Sequence, residues 1–438
     1  MKILDISWLE SVEDKISQHL KEHLHQHVLT PPKIPGVMIK PVHALKMSLT
    51  KVPVIIEFAE EAEAGIHTHA VAKQYLCKVN KSLQVIGGFQ SEINLQVMKK
   101  LVNDGRVKKI WYDRTVHTLL NVAAPTVGAT RTWEGGNKGT GVGVAVLDTG
   151  VHPHPDLTLP TNRITAFMDY VRGRKKPYDD NGHGTHVAGC IAGNGKQSGG
   201  KYRGPAPRAN IIGIKVLDRN GAGPTSNIIA GIQWCIDNRE KYNIRIINMS
   251  LGGSATESYK EDPICRAVAK AWKAGIVVCA AAGNDGPKEK TINSPGIQPN
   301  IITVGAVDDR RTVSVNDDVM ANFSSRGPTL DKLAKPDVVA PGVDIVSLRS
   351  PGSQVDKSNS EFRVGRDYFK LSGTSMATPI CSGVTALVLA ANPSLKPDQV
   401  KSILTDSCYQ RNTGSNSGGA GEINAYKAAE LAKRMKKP

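Results

Sequence analysis

Apolar and polar positions alternate along this chain in two rhythms, and the change between them falls near residue 120. Residues 52–58 alternate as a half-buried strand does, 66–76 carry a helical period, 83–89 read as a strand, 93–102 as a helix and 107–112 as a strand. That order of elements predicts a small α+β module. Beyond residue 121 the apolar runs become continuous. Residues 142–147, 211–217, 244–251, 276–282 and 301–307 read as strands, and 184–192, 225–238 and 263–274 between them as helices. Such interleaving predicts a parallel sheet covered by helices on both faces, with functional residues gathered at the carboxyl ends of the strands. Asp148, Ser250 and Asn284 stand at or just past such ends. Residues 118–124 show no strong period and read as a linker. The chain therefore divides into an N-terminal helical extension over 1–50, an α+β module over 51–120 and an α/β domain over 121–438.

The extension carries His19, His23, His25 and His27, followed by a Pro-rich loop over 30–36. His19, His23 and His27 recur one helical turn apart, a spacing at which a neighbouring pair could hold a metal. Only Glu22 is placed to join a pair and no thiol is near, so the segment reads as a solvated polar face.

Composition adds little to the fold but narrows the function. A hydrophobic fraction of 40% and 42 glycines in 438 residues describe a globular protein rich in tight turns. The net charge of +16 raises the question of a nucleic-acid partner, yet the basic residues are scattered, and the most compact group is the tail Lys433-Arg434-Met435-Lys436-Lys437. No nucleic-acid partner is expected. Seven cysteines form no C-x-x-C pair, and Cys190, Cys235, Cys279 and Cys381 lie in apolar runs, the pattern of buried thiols in a reducing compartment. The first twenty residues include Asp5, Glu10, Glu13 and Asp14 and lack the apolar segment of a secretory signal. No run reaches the length of a membrane span. A cytoplasmic protein with no membrane partner is expected, with export by an unconventional route as the alternative.

The candidate chemistry centres on Gly373-Thr374-Ser375-Met376-Ala377-Thr378-Pro379, which sets one hydroxyl between a glycine turn and a long apolar helix over 380–391. An oxyanion forming beside Ser375 would meet the positive end of that helix. Asp148 ends the run Val144-Ala145-Val146-Leu147, and His183 stands between glycines in Asn181-Gly182-His183-Gly184-Thr185-His186. Singly, each residue has an ordinary explanation as a cap or turn. Together they supply a nucleophile, a base and a carboxylate that holds the base in one tautomer, the set acyl transfer needs.

These three motifs, in the order Asp, His, Ser, resemble the subtilisin family. The resemblance implies a three-layer α/β fold around a mostly parallel sheet, preceded by a small propeptide-like domain, and a serine endopeptidase acting on proteins or peptides with no cofactor needed for catalysis. It implies that Asn284, in Ala281-Ala282-Gly283-Asn284, lends its amide to an oxyanion hole. Gly221-Ala222-Gly223 and Ser250-Leu251-Gly252 resemble the segments that flank an extended substrate. Ala281, Ala282 and Gly283 would frame the pocket for the residue before the cut bond, Asn293 would sit at its base and make it shallow, and Asp285 would favour polar or basic groups at its rim. His186 matches a second, non-catalytic histidine. Asp156 resembles an aspartate near a structural calcium site, with a simple turn carboxylate as the other reading. The α+β module resembles the family's propeptide, an intramolecular chaperone and inhibitor, which implies self-cleavage close to Leu120-Asn121; a permanently attached accessory domain is the alternative. Further motifs over 202–207, 323–328 and 347–351 look most like the intracellular alkaline members of the family in bacilli. A silent fold serving as a binding module is the alternative to an enzyme.

Overall fold

In a computed structural model, the protein is described at residues 7–9, 12, 15–24, 28–29, 49–60, 64–83, 87–112, 120–411 and 413–435. The backbone divides into two compact units, 1–116 and 117–438. The loop over 30–36 and the extension's His25 and His27 lie outside the described residues.

The first unit is an antiparallel sheet of four strands in the order β2 (Lys81–Leu83), β3 (Gly88–Ile93), β1 (Val52–Phe58), β4 (Val107–Tyr112). Strand β1 shows why it forms: Val52, Val54, Ile56 and Phe58 point into the core while Pro53, Ile55 and Glu57 face outward, a strict period of two. Helices α1 (Gln18–His23), α2 (Ala64–Tyr75) and α3 (Leu95–Leu101) accompany the sheet. The extension is not a purely polar appendage. Ile16, Leu20, Leu24 and Val28 recur every fourth residue and are buried in the same core as β1. Ser17 caps α1 and its backbone N–H donates to the Ile110 carbonyl at 3.0 Å, so the extension and the module share one core.

The second unit is built on an eight-stranded sheet. Its order is β11 (Val319–Met320), β10 (Ile302–Asp308), β9 (Val277–Ala281), β8 (Ile244–Met249), β5 (Gly143–Asp148), β7 (Asn210–Lys215), β6 (Ile164–Asp169), with β12 (Val338–Pro341) also beside β10. All these pairings are parallel except the short β10–β11 pair. A smaller sheet joins β13 (Ile345–Leu348), β15 (Tyr368–Leu371) and β14 (Arg363–Val364). The helices are α4 (Leu120–Thr126), α5 (Ala129–Glu134), α6 (His183–Ala192), α7 (Thr225–Asp237), α8 (Pro263–Lys273), α9 (Thr374–Ala391), α10 (Pro397–Ser407) and α11 (Ala425–Arg434), besides five pieces of about one turn among the described residues.

Residues 120–124, part of the stretch over 118–124 expected as linker, belong to α4, and Ala123, Ala124 and Val127 are buried in the core of the second unit. Small residues around Pro125 give no readable period, so packing decides the conformation there. Helix α9, the one described helix long and apolar enough to cross a membrane, is instead buried in the core, packed against β8, β9, β10 and α6. Its burial places Ser375, on its first turn, at the carboxyl end of the sheet.

Candidate active site

Strand β5 delivers Asp148 to its carboxyl end with no exposed surface. One carboxylate oxygen, Oδ1, accepts the Thr149 N–H at 2.7 Å and lies 2.8 Å from His183 Nδ1. His183 opens α6, and glycine on its far side makes the approach possible: a Cβ on Gly184 would fall 2.2 Å from the Gly150 carbonyl oxygen and 3.1 Å from the Asp148 Cβ. Any side chain at 184 would push the helix off the strand end. The imidazole is a quarter exposed. Burial works to lower its proton affinity, but the Asp148 charge and hydrogen bond outweigh that and hold its pKa above the ordinary histidine value. The short Nδ1 contact makes Nδ1 the protonated nitrogen of the neutral ring and leaves Nε2 basic.

A second carboxylate holds the loop that carries His183. Asp179 Oδ1 accepts from the Thr149 hydroxyl and from the Asn181 and Gly182 N–H groups at 2.8–3.1 Å, while Oδ2 accepts from the Thr185 N–H and hydroxyl at 2.9 and 2.6 Å. Beside it the fully buried Lys215 donates to Asp180 at 2.8 Å and to the carbonyls of Thr149 and Leu217. Neither Asp179 nor Lys215 stood out in the sequence. The only signal was the Asp-Asp pair just before Asn181-Gly182-His183.

Ser375 follows Gly373, whose φ of +153° suits glycine, into the first turn of α9. Its hydroxyl donates to the Ser250 carbonyl at 3.1 Å, and the Ser250 hydroxyl donates back to the Ser375 carbonyl at 2.9 Å. Asn248 Nδ2 donates to that Ser250 hydroxyl at 3.0 Å, and Ser382 holds the Asn248 oxygen at 2.8 Å. Ser375 and His183 line one cleft of about 810 Å³. Asn284 stands at its edge with Oδ1 accepting the Thr374 N–H at 2.9 Å and the Thr374 hydroxyl at 3.0 Å. A backbone N–H can only donate, so the amide oxygen must face Thr374 and Nδ2 is turned the other way.

Gly221, Ala222 and Gly223 line the cleft, as do Ser250, Leu251 and Gly252 and, with them, Ala281, Gly283 and Asn293. Ala282 does not line it: the residue is fully buried, its N–H bonded to Val304 and its carbonyl accepting the Asn293 N–H at 2.9 Å. A frame residue there acts through its backbone. The Asn293 amide would lie 2.7 Å from a Cβ on Gly283, so glycine makes the room that Asn293 occupies. Apolar Leu217, Ile228 and Ile264 also line the cleft, together with Asp262 and Asp285.

Asp156 does not fit a calcium cradle. Its carboxylate is buried, Oδ1 accepting the Gln197 N–H at 2.9 Å and Oδ2 the Tyr368 hydroxyl at 2.8 Å. Among the described residues no group of three or more His, Cys, Asp or Glu side chains could hold a metal ion. His186 is buried one turn along α6, its Nε2 against the carbonyls of Ile345 and Phe369 at 3.0 and 3.1 Å, and burial pushes its pKa down to about 3. It ties α6 to the small sheet as a neutral ring.

An Asp–His pair thus stands at the carboxyl end of a parallel sheet, and its histidine shares a cleft with a serine on a helix start. Residues 139–421 match the model of the Subtilase family, and the chain belongs to that family: it is a subtilisin-like serine protease, an enzyme that hydrolyses peptide bonds in protein substrates. It is similar to Serine protease AprX of Bacillus subtilis (strain 168), with 46% identity over 387 residues that cover 86% of this chain and 87% of that one. Subtilisin E of the same organism is 34% identical over 366 residues, 81% of this chain and 83% of its own. Among solved structures, S41 Psychrophilic Protease matches with a TM-score of 0.55 and 32% identity over 66% of this chain and 92% of that one, and Sphericase with 0.53 and 33% over the same shares.

Proposed function

We propose that Ser375 is the nucleophile of an endopeptidase, His183 its general base and then acid, Asp148 the group that orients and compensates His183, and Asn284 with the Ser375 N–H the oxyanion hole. Ser375 Oγ attacks the scissile carbonyl while His183 Nε2 removes its proton. The oxyanion is met by Asn284 Nδ2, by the Ser375 amide and by the N-terminal end of α9. Collapse breaks the C–N bond as His183 returns the proton to the leaving amine, giving an acyl ester on Ser375. Water, deprotonated by the same imidazole, then cleaves that ester. Every group required belongs to this chain, and no metal enters the chemistry. The observation that carries the reading is the 2.8 Å contact between Asp148 and His183 at the mouth of the cleft that Ser375 shares. Intact mass before and after a fluorophosphonate tests it: a single adduct that Ser375→Ala abolishes is expected. An unlabelled chain with its N-terminal unit removed would mean a silent fold.

The peptide would lie extended between 221–223 and 250–252, its side chain before the cut bond resting toward Asn293 and Asp285. A shallow pocket with a polar rim selects small, polar or basic residues. A peptide library in which large aromatics win would overturn that choice. The N-terminal unit serves as an intramolecular inhibitor and folding aid, removed by cleavage near Leu120-Asn121. Because α4 begins at Leu120 and a substrate must be extended, its first turn has to unwind before the bond is cut. N-terminal sequencing of the active species is expected to begin within a few residues of 121; a start at Met1 would indicate a permanent accessory domain. Seven free cysteines, all buried, fit a reducing compartment such as the cytoplasm.

A further inference from the structure

The central sheet has two ends, and the chemistry proposed above uses one. At the other, a second cleft of about 570 Å³ opens beside Gly141, just ahead of β5, and Asn210, the first residue of β7. Its charged lining is of one sign: Lys138, Arg163, Arg203 and Arg208, with no carboxylate. Arg163 is spent, since its guanidinium donates to the carbonyls of Asp156, Ala192 and Ala209. The other three are not. Among the described residues no carboxylate pairs with Lys138, Arg203 or Arg208. The Arg203 guanidinium lies 5.7 Å from the centroid of the Trp133 ring, and its Nε is buried without a hydrogen-bond partner. Buried donors with no partner are rare in folded proteins, and here one belongs to a side chain that also lines the open cationic cleft. The parts around it are fixed: Trp133 Nε1 donates to the Pro205 carbonyl at 2.8 Å, and the Arg208 N–H donates to the Lys138 carbonyl at 3.0 Å, which sets those two side chains on one strip of the rim.

We propose that this cleft binds a small phosphate-bearing anion, with Arg203 and Arg208 taking phosphoryl oxygens and Lys138 adding charge. A planar guanidinium presents a fork that matches phosphate oxygens, and three uncompensated cations suit a ligand carrying more than one negative charge. The charge of the lining makes the phosphoryl group what the cleft recognises. Occupancy would brace the starts of β5 and β7, the strands whose far ends hold Asp148 and Lys215. The site is independent of the peptidase reading.

The test is calorimetric titration of the full-length Ser375→Ala chain, which does not digest itself, with inorganic pyrophosphate at ionic strength held constant with NaCl. Saturable binding at one site is expected, weakened tenfold or more in an Arg203→Ala, Arg208→Ala double variant and by less in Arg203→Lys, which keeps the charge and loses the fork. Lys175→Ala, an exposed lysine elsewhere, should change nothing. ATP binding as tightly as pyrophosphate would identify the phosphates alone as the ligand chemistry, and tighter ATP binding would add contacts from the nucleoside; either supports the site. Absence of saturable heat, or equal affinity in wild type and double variant, would overturn it and leave only diffuse attraction to a chain of net charge +16.

Discussion

Two groups of carboxylates are buried equally deeply in the second unit and live in opposite surroundings. Behind the cleft, Asp179 has five donors, three of them backbone N–H groups, and Asp148 has Thr149 and His183. Around the end of β10, Asp309, Asp318 and Glu422 meet one another. Arg411, 3.1 Å from Glu422, is the one ion-pair partner among the described residues, and Asp309 Oδ2, both Asp318 oxygens and Glu422 Oε1 lack hydrogen-bond donors. Burial raises the pKa of Asp309 to about 7 and of Asp318 to about 6, and pushes Glu422 well above the carboxylate range, with the neighbouring acids adding to the effect. Depth therefore does not decide what a buried carboxylate is. What differs is the supply of donors: the tight turns around Asp179 bring it five, whereas Asp309, Asp318 and Glu422 chiefly face one another.

The largest way to break the comparison is at Asp148. Asp148→Asn presents an amide to His183 and favours the wrong tautomer, so kcat on a peptide substrate should fall by about 10⁴-fold with the melting temperature little changed. Asp179→Ala is expected to act on the fold, since it strands five buried donors. A loss of about 3 kcal/mol or more in chemical denaturation is predicted, with Asp179→Asn recovering part because one oxygen remains an acceptor. The acidic cluster should respond with the opposite sign. Its raised pKa values mean that the folded chain holds more protons than the unfolded one between about pH 4 and 7, so this group's contribution to stability falls as pH rises through that window. Asp318→Asn supplies a donor and removes a charge. It should therefore stabilise the protein at pH 8 by on the order of 1 kcal/mol and change little at pH 4, read from melting at the two pH values. The smallest effect is on the base itself. With its pKa held above the ordinary value by Asp148, His183 should give kcat/KM an acid limb that rises with pH and has its midpoint above 6.5, and Asp148→Asn should move that midpoint down.

Much of this was legible in the residue pattern because the central strands are buried on both faces. Continuous apolar runs mark β5, β7, β8, β9 and β10, and each sequence-read strand overlaps the observed one. Strands β6 and β12 were passed over: β6 has only its end residues buried, and β12 is four residues long. Helix α4 escaped because small residues and a proline carry no period. In the site, Asp148, His183, Ser375 and Asn284 stand in motifs that glycines make recognisable, and the fold brings His183, Ser375 and Asn284 to one cleft with Asp148 buried against His183. Asp179, Lys215 and Asn248 act through partners 30 or more residues distant or through the backbone of a loop, and no spacing announces that.

The hydroxyl of Ser375 idles on the Ser250 carbonyl. Under the proposed chemistry that resting contact is a gate set by shape. A polypeptide laid along 250–252 offers its own backbone N–H to the same acceptor and frees the hydroxyl to turn toward His183. A bound substrate would then ready the nucleophile through its backbone alone, before any side chain has been inspected.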